Sequence, residues 1–160
     1  MEGFKLANTG ATINASDDGA LFNSFAGNKD YIIKDIGQEF ECFYQGGSLS
    51  ITIGTGKAII GGRGAYVEES GSIELPANST IYLVLRADLT QTLGNELYPY
   101  ASLTSELEED NLNDGTNGVR DLLLAIITTG VDGITNLEDK RVIKNRAGGL
   151  EYIVIEEWED

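Results

Sequence analysis

Thr80-Ile81-Tyr82-Leu83-Val84-Leu85-Arg86-Ala87-Asp88 is the stretch that sets the fold class. In an extended chain Ile81, Leu83, Leu85 and Ala87 share one face, and Tyr82, Val84, Arg86 and Asp88 share the other. That period of two predicts a half-buried strand. The signal continues in both directions. Upstream, Leu49, Ile51 and Ile53 alternate with Ser48, Ser50 and Thr52, and short apolar runs follow at Lys57–Ile60, Ala65–Val67 and Ser72–Leu75. Downstream, Leu97–Leu103, Asp121–Thr129 and Tyr152–Trp158 carry it on. Twenty glycines against two prolines, Pro76 and Pro99, suit short strands joined by tight turns.

One segment reads differently. Over Ile33–Gln45 the apolar residues Ile36, Phe40 and Phe43 fall at i, i+4 and i+7, with Ile33 one turn earlier. This spacing predicts a helix whose core face is Ile36, Phe40 and Phe43. Lys34, Asp35, Gln38, Glu39 and Glu41 take the other faces. Early acids suit a helix N-terminus, and Gly46-Gly47 supplies a stop. Gly37 costs such a helix about 1 kcal/mol relative to alanine, so packing has to hold it. The expected fold is mainly β with one helix (α+β), an antiparallel β-sandwich or roll with an α-helix packed against it. Residues 1–27 read as a polar lead-in, and 28–160 as a single domain.

Composition removes whole classes of function. The chain has 160 residues, 11 Lys plus Arg against 26 Asp plus Glu, and a formal charge of −15. Such a surface repels phosphate backbones and anionic lipid, so nucleic-acid binding is not expected. No apolar run approaches the ~18 residues that span a bilayer, so no membrane insertion is expected. Met1-Glu2-Gly3-Phe4-Lys5 runs straight into polar sequence without a signal-peptide core. Histidine is absent. That excludes Ser-His-Asp and Cys-His pairs and any His-containing zinc site. Cys42 is the sole cysteine, so it has no disulfide partner within the chain. Glu41 beside it disfavours a thiolate, and its expected role is a small apolar filler.

The suggestive motifs fail on spacing. Gly54-Thr55-Gly56-Lys57 has Ile51 and Ala58 where a phosphate loop needs glycine and Ser or Thr, so a hairpin turn is expected there. Gly61-Gly62-Arg63-Gly64 reads as a bend between strands. Aligning Asp110–Asp121 with a calcium loop puts Asp110 and Asp114 in ligand slots but Leu112 in an obligatory oxygen position. Glu68-Glu69 and Glu156-Glu157 are adjacent pairs that point opposite ways on a strand, unsuited to glycoside hydrolysis. Tyr82, Tyr98, Tyr100, Tyr152 and Trp158 could stack on sugars or line an interface, with sheet-face packing the plainer role. No enzyme activity, metal or cofactor is expected.

Six segments, taken in order, carry a resemblance. They are Tyr31-Ile-Ile-Lys-Asp-Ile-Gly-Gln-Glu-Phe-Glu-Cys-Phe43, Ile51-Thr-Ile-Gly-Thr-Gly-Lys-Ala-Ile-Ile-Gly-Gly-Arg63, Ile73-Glu-Leu-Pro76, Ile81-Tyr-Leu-Val-Leu-Arg-Ala-Asp-Leu89, Asp121-Leu-Leu-Leu-Ala-Ile-Ile-Thr-Thr129 and Ile134-Thr-Asn-Leu-Glu-Asp-Lys-Arg141. Their order and spacing over about residues 28–143 resemble the N-terminal or shoulder domain of receptor-binding and baseplate proteins of tailed siphophages that infect Gram-positive bacteria. In that family a helix with paired aromatics precedes a strand ending in a G-x-A-x-I-x-G-R turn. A Y-x-V-x-R-x-D strand follows, and the domain closes with L-L-L-A and I-x-D-x-R.

The resemblance implies a β-sandwich with an accessory helix, assembled as a homotrimer or higher ring. Arg86, Asp88, Asp139 and Arg141 match the family's recurring charged positions, with structural roles as ion pairs or turn anchors. Only a short segment follows Arg141, where fuller relatives carry a neck and a carbohydrate-binding head, so a stand-alone form is expected. The function this implies is that of a phage or prophage structural protein of the tail tip or baseplate, docking to itself and to other tail proteins. Its place would be the virion tail, or the host cytoplasm during assembly. Tyr82, Tyr98 and Trp158 are the interface candidates. The alternative is a saccharide-binding module that recognises a host cell-wall polymer.

Overall fold

The computed structural model describes residues 29–113 and 117–145. The lead-in, the strand expected at Tyr152–Trp158, Trp158 itself and Asp114 lie outside the described residues. Among the described residues eleven strands form three sheets, with no helix, and the protein is mainly β. The first sheet has the order β11 (Ile143–Lys144), β1 (Tyr31–Ile33), β4 (Gly56–Ile60), β5 (Arg63–Val67). The second has the order β10 (Ile134–Asp139), β9 (Val119–Thr129), β7 (Thr80–Asp88), β8 (Leu97–Ser102). The third is small: β2 (Cys42–Phe43), β3 (Ser50–Ile53), β6 (Gly71–Glu74). All pairings are antiparallel except β1 with β11.

β7 has the bounds that the alternation predicts. Ile81, Leu83 and Leu85 sink into one core, shared with Ile51 and Ile53 of β3 and Ala58 and Ile60 of β4. β9 resists a simple alternating reading because Leu122, Leu124, Ala125 and Ile127 are all buried. The cause is a bulge. Leu83 pairs with Ala125 but Val84 pairs with Leu123, which leaves Leu124 as the extra residue and lets two neighbours face inward.

Val84 is fully buried yet outside the core cluster, because it lies on the outward face of the second sheet. Ser102 sits opposite Tyr82, whereas Glu108 bonds to Asp121 on the far side of β9. Those points are about 14 Å apart across three strand spacings and about 13 Å apart along the strands. The connection after β8 therefore crosses the second sheet diagonally, with bends at 103–105 held by the Ser102 and Thr104 hydroxyls.

The helix expected over Ile33–Gln45 does not form. Asp35, Gly37, Glu39 and Phe40 have φ of 62°, 61°, 53° and 53°, all left-handed, so no right-handed turn can propagate. The amides of Gln38 and Phe40 instead both donate to the Thr55 carbonyl, at 2.9 and 3.1 Å, and the segment wraps the Thr55-Gly56 backbone. The three stripe residues therefore part company. Phe40 is fully buried against Gly56, Ile36 is half-buried, and Phe43 is 40% exposed on β2. Side-chain volume explains the fit: a Cβ on Gly56 would lie 3.0 Å from the Phe40 ring.

Gly54-Thr55 is likewise not a hairpin turn, since β3 and β4 belong to different sheets and the chain crosses between layers there. Gly61-Gly62 is the turn of the β4–β5 hairpin, with φ of 59° and 79°, the left-handed pair that a two-residue turn of this hand requires. The start of the acidic 110–121 loop packs against it. Leu112 is 3% exposed and covers Gly61, so it serves the core where a ligand would have to sit. Arg63 donates to the Leu112 carbonyl at 3.0 Å, and Asn113 donates to the Gly61 carbonyl at 2.7 Å.

Candidate functional site

The four charged residues singled out in the sequence sit in three structural clusters. Arg86 on β7 makes a two-pronged pair with Asp121, its cross-strand partner on β9, at 2.8 and 3.0 Å. The Asp121 carboxylate is fully buried and also accepts the Glu108 amide at 3.0 Å. Tyr100 stacks on the other side of the guanidinium, 3.8 Å from its ring centroid. The hydrogen bond to Asp121 raises the Arg86 pKa further, so its charge is permanent.

Asp88 ends β7 and holds the turn that follows. Its carboxylate accepts the Thr90 amide at 3.0 Å, the Thr90 hydroxyl, Gln91 Nε2 at 3.1 Å and the Tyr98 hydroxyl at 2.7 Å. The Thr90 hydroxyl contributes most to drawing its pKa down to about 2, against the opposing effect of burial. Burial and the Asp88 bond push the Tyr98 phenol up. Asp139 at the end of β10 forks with Arg141 at 2.8 Å, and Arg141 reaches back to the Glu39 carbonyl at 2.8 Å. That contact pins the left-handed loop. The Arg141 hydrogen bonds lower the Asp139 pKa.

These contacts engage several of the residues singled out in the sequence. Tyr98 is committed to Asp88 and Tyr100 to Arg86, while Tyr82 is half-buried beside Ser102 and Ile126 on the outward face. Cys42 packs against the core, and burial pushes its thiol up to about 12, far from a thiolate nucleophile. Among the described residues no three His, Cys, Asp or Glu side chains converge as a metal site.

What stands open is a seam between two sheets. Among the described residues β5 and β8 each end a sheet, and a cavity of about 410 Å³ lies between them, floored by Ile60, Ala65, Ala87, Leu97 and Leu112. It meets a second cavity of about 200 Å³ over Leu85 and Pro99, the two sharing Val67 and Leu97.

The backbone at the two rims differs. Ile60 and Arg63 face each other across the β4–β5 turn, so Arg63, Ala65 and Val67 direct their backbone groups at β4. Gly64 and Tyr66 direct theirs away, along an edge with no neighbouring strand among the described residues. On the other rim, the Glu96 carbonyl accepts the Asp88 amide at 2.7 Å. By the same alternation Tyr98 and Tyr100 face β7, and Leu97, Pro99 and Ala101 face outward. Pro99 therefore leaves the ladder intact and removes one donor from the open edge, a standard protection against stray pairing.

β5 itself contains no proline. Tyr66 is 61% exposed, with the Lys57 ammonium 5.0 Å from its ring centroid, and its hydroxyl lies over Gly64 where a side chain would collide. The sequence shows the Ala65–Val67 strand but not its edge position, because strand order is a property of long-range pairing. Asp121, the partner of Arg86, was equally out of reach: only the β7–β9 register brings residues so distant in the chain together. No protein-family model matches this chain, and neither does any curated protein.

Proposed function

We propose that this chain is a non-enzymatic docking module, a structural protein of a phage or prophage tail tip or baseplate. Within that reading its three sheets form a β-sandwich or roll, and it assembles with copies of itself as a homotrimer or higher ring and with other tail proteins. It requires no cofactor, and it resides in the virion tail or in the host cytoplasm during assembly. The order of the six sequence segments supports the family. The β5 edge, which has no neighbouring strand among the described residues and lies beside a seam with an apolar floor, is the observation that carries docking. Strand addition to such an edge supplies main-chain hydrogen bonds, and the apolar floor of the seam supplies burial. The charge of −15 limits premature association by mutual repulsion.

Light scattering after gel filtration, over a concentration series, tests this. A stable species near three times 17.2 kDa, lost in Tyr66→Glu, is the expected result. Glu opposite Lys57 keeps a favourable cross-strand pair while placing a charge on the edge, so the variant retains its fold. A strict monomer at every concentration, or an oligomer indifferent to Tyr66→Glu, overturns docking through this edge.

A further inference from the structure

A third concavity lies on the outward face of the third sheet, away from the seam. It has a volume of about 340 Å³ and is lined by Phe43, Tyr44, Gln45, Ser48, Ser50 and Thr52. Its chemistry is unlike the rest of the surface. The chain carries 37 charged side chains, 11 basic and 26 acidic, yet none of the six lining residues is charged. Phe43 and Tyr44 are 40% and 42% exposed, large aromatic faces left in water on a sheet whose other face feeds Ile51 and Ile53 into the core.

Around the rings stand small neutral hydrogen-bonding groups. Thr52, the cross-strand partner of Phe43, shares a hydrogen bond with the Ser72 hydroxyl at 2.6 Å. The Ser48 hydroxyl accepts the Ser50 amide at 3.0 Å. Among the described residues, the Ser50 hydroxyl, the Gln45 amide group and the Tyr44 hydroxyl have no such partner and remain available.

We propose that this concavity binds a neutral, pyranose-based oligosaccharide. A pyranose presents an apolar C–H face that suits the electron-rich face of an aromatic ring, and a rim of hydroxyls that suits Ser, Thr and Gln. Small-ligand sites begin at about 300 Å³, so the space accepts one or two rings. Anionic polymers are disfavoured twice, by the absence of any base in the lining and by the net charge of −15. A peptide is the poorer occupant: β2, the edge strand here, is only two residues long and offers little ladder.

Saturation-transfer NMR on the full chain tests the proposal. The neutral probes are a β-1,4-linked N-acetylglucosamine tetramer and mannotetraose, and the anionic probe is polyglycerol phosphate. Transfer to a neutral probe, an affinity about tenfold lower in Tyr44→Ala, and retention in Tyr44→Phe are expected. Tyr44 lies outside any strand, so this variant keeps its fold; an unchanged melting temperature checks that. Leu103→Ala, at an exposed side chain just past β8 of the second sheet, leaves binding unchanged, which ties the effect to this concavity. No transfer to either neutral probe overturns the proposal. So does equal transfer to the polyglycerol phosphate, or binding indifferent to Tyr44→Ala.

Discussion

At the residue scale, polar side chains near the second sheet stabilise the fold in a pH-dependent way, and Asp88 shows how. Its folded pKa of about 2 lies below the ordinary aspartate value of about 3.9, so its contribution is fully present above that ordinary value. It is lost as pH falls through about 2, when the carboxylate takes up a proton and its donors lose a charged acceptor. Asp88→Asn is therefore expected to lower the urea midpoint at pH 6 by more than at pH 2, so that the two unfolding curves converge in acid. Parallel losses at both pH values would show that the carboxylate's charge contributes nothing. The sequence identified Asp88 as a charged position at the end of a strand. Its donors Thr90 and Gln91 are local, whereas Tyr98 arrives only through the β7–β8 pairing.

At the element scale, the 34–40 loop is where local pattern and tertiary structure disagree. An apolar stripe at helical spacing requires all its residues to meet one neighbour, but here the Thr55 carbonyl captures two amides and Gly56 leaves a slot for Phe40 alone. Gly37 gives a test in which the two readings differ in sign. In a helix, Gly37→Ala stabilises by about 1 kcal/mol. In this loop Gly37 has φ of 61°, and a Cβ there would lie 2.8 Å from Thr55 Oγ1 and 3.1 Å from the Gly56 amide nitrogen. Left-handed backbone costs an L-residue about 1–2 kcal/mol before any collision. Gly37→Ala is expected to lower the urea midpoint with an unchanged slope. A raised midpoint would restore the helix.

At the scale of the whole molecule, charge and edges decide behaviour. With 26 acids against 11 bases, mutual repulsion opposes the compact state. Raising sodium chloride from 0.01 to 1 M shortens the screening length from about 30 to about 3 Å. The melting temperature is expected to rise by about 2–4 °C, the shift that 1 kcal/mol produces in a chain of this length. A fall would mean that the paired charges, Arg86–Asp121 foremost, outweigh the unpaired acids. The absence of histidine leaves no side chain of ordinary pKa to titrate between pH 5 and 8, so this salt effect holds steady across that range. Period-two alternation determined the mainly β class and placed β7 within its true bounds, because side chains on a pleated strand alternate whatever the partner. Composition excluded histidine-dependent chemistry alone, because chemistry that needs imidazole cannot proceed without it. Tertiary structure alone decided the fate of Phe40, the bulge at Leu124, the pairing of Arg86 with Asp121 and the open seam between β5 and β8. Each depends on contacts between segments far apart in the chain, and local periodicity carries no information about which distant backbone will offer a carbonyl, a slot or a free edge.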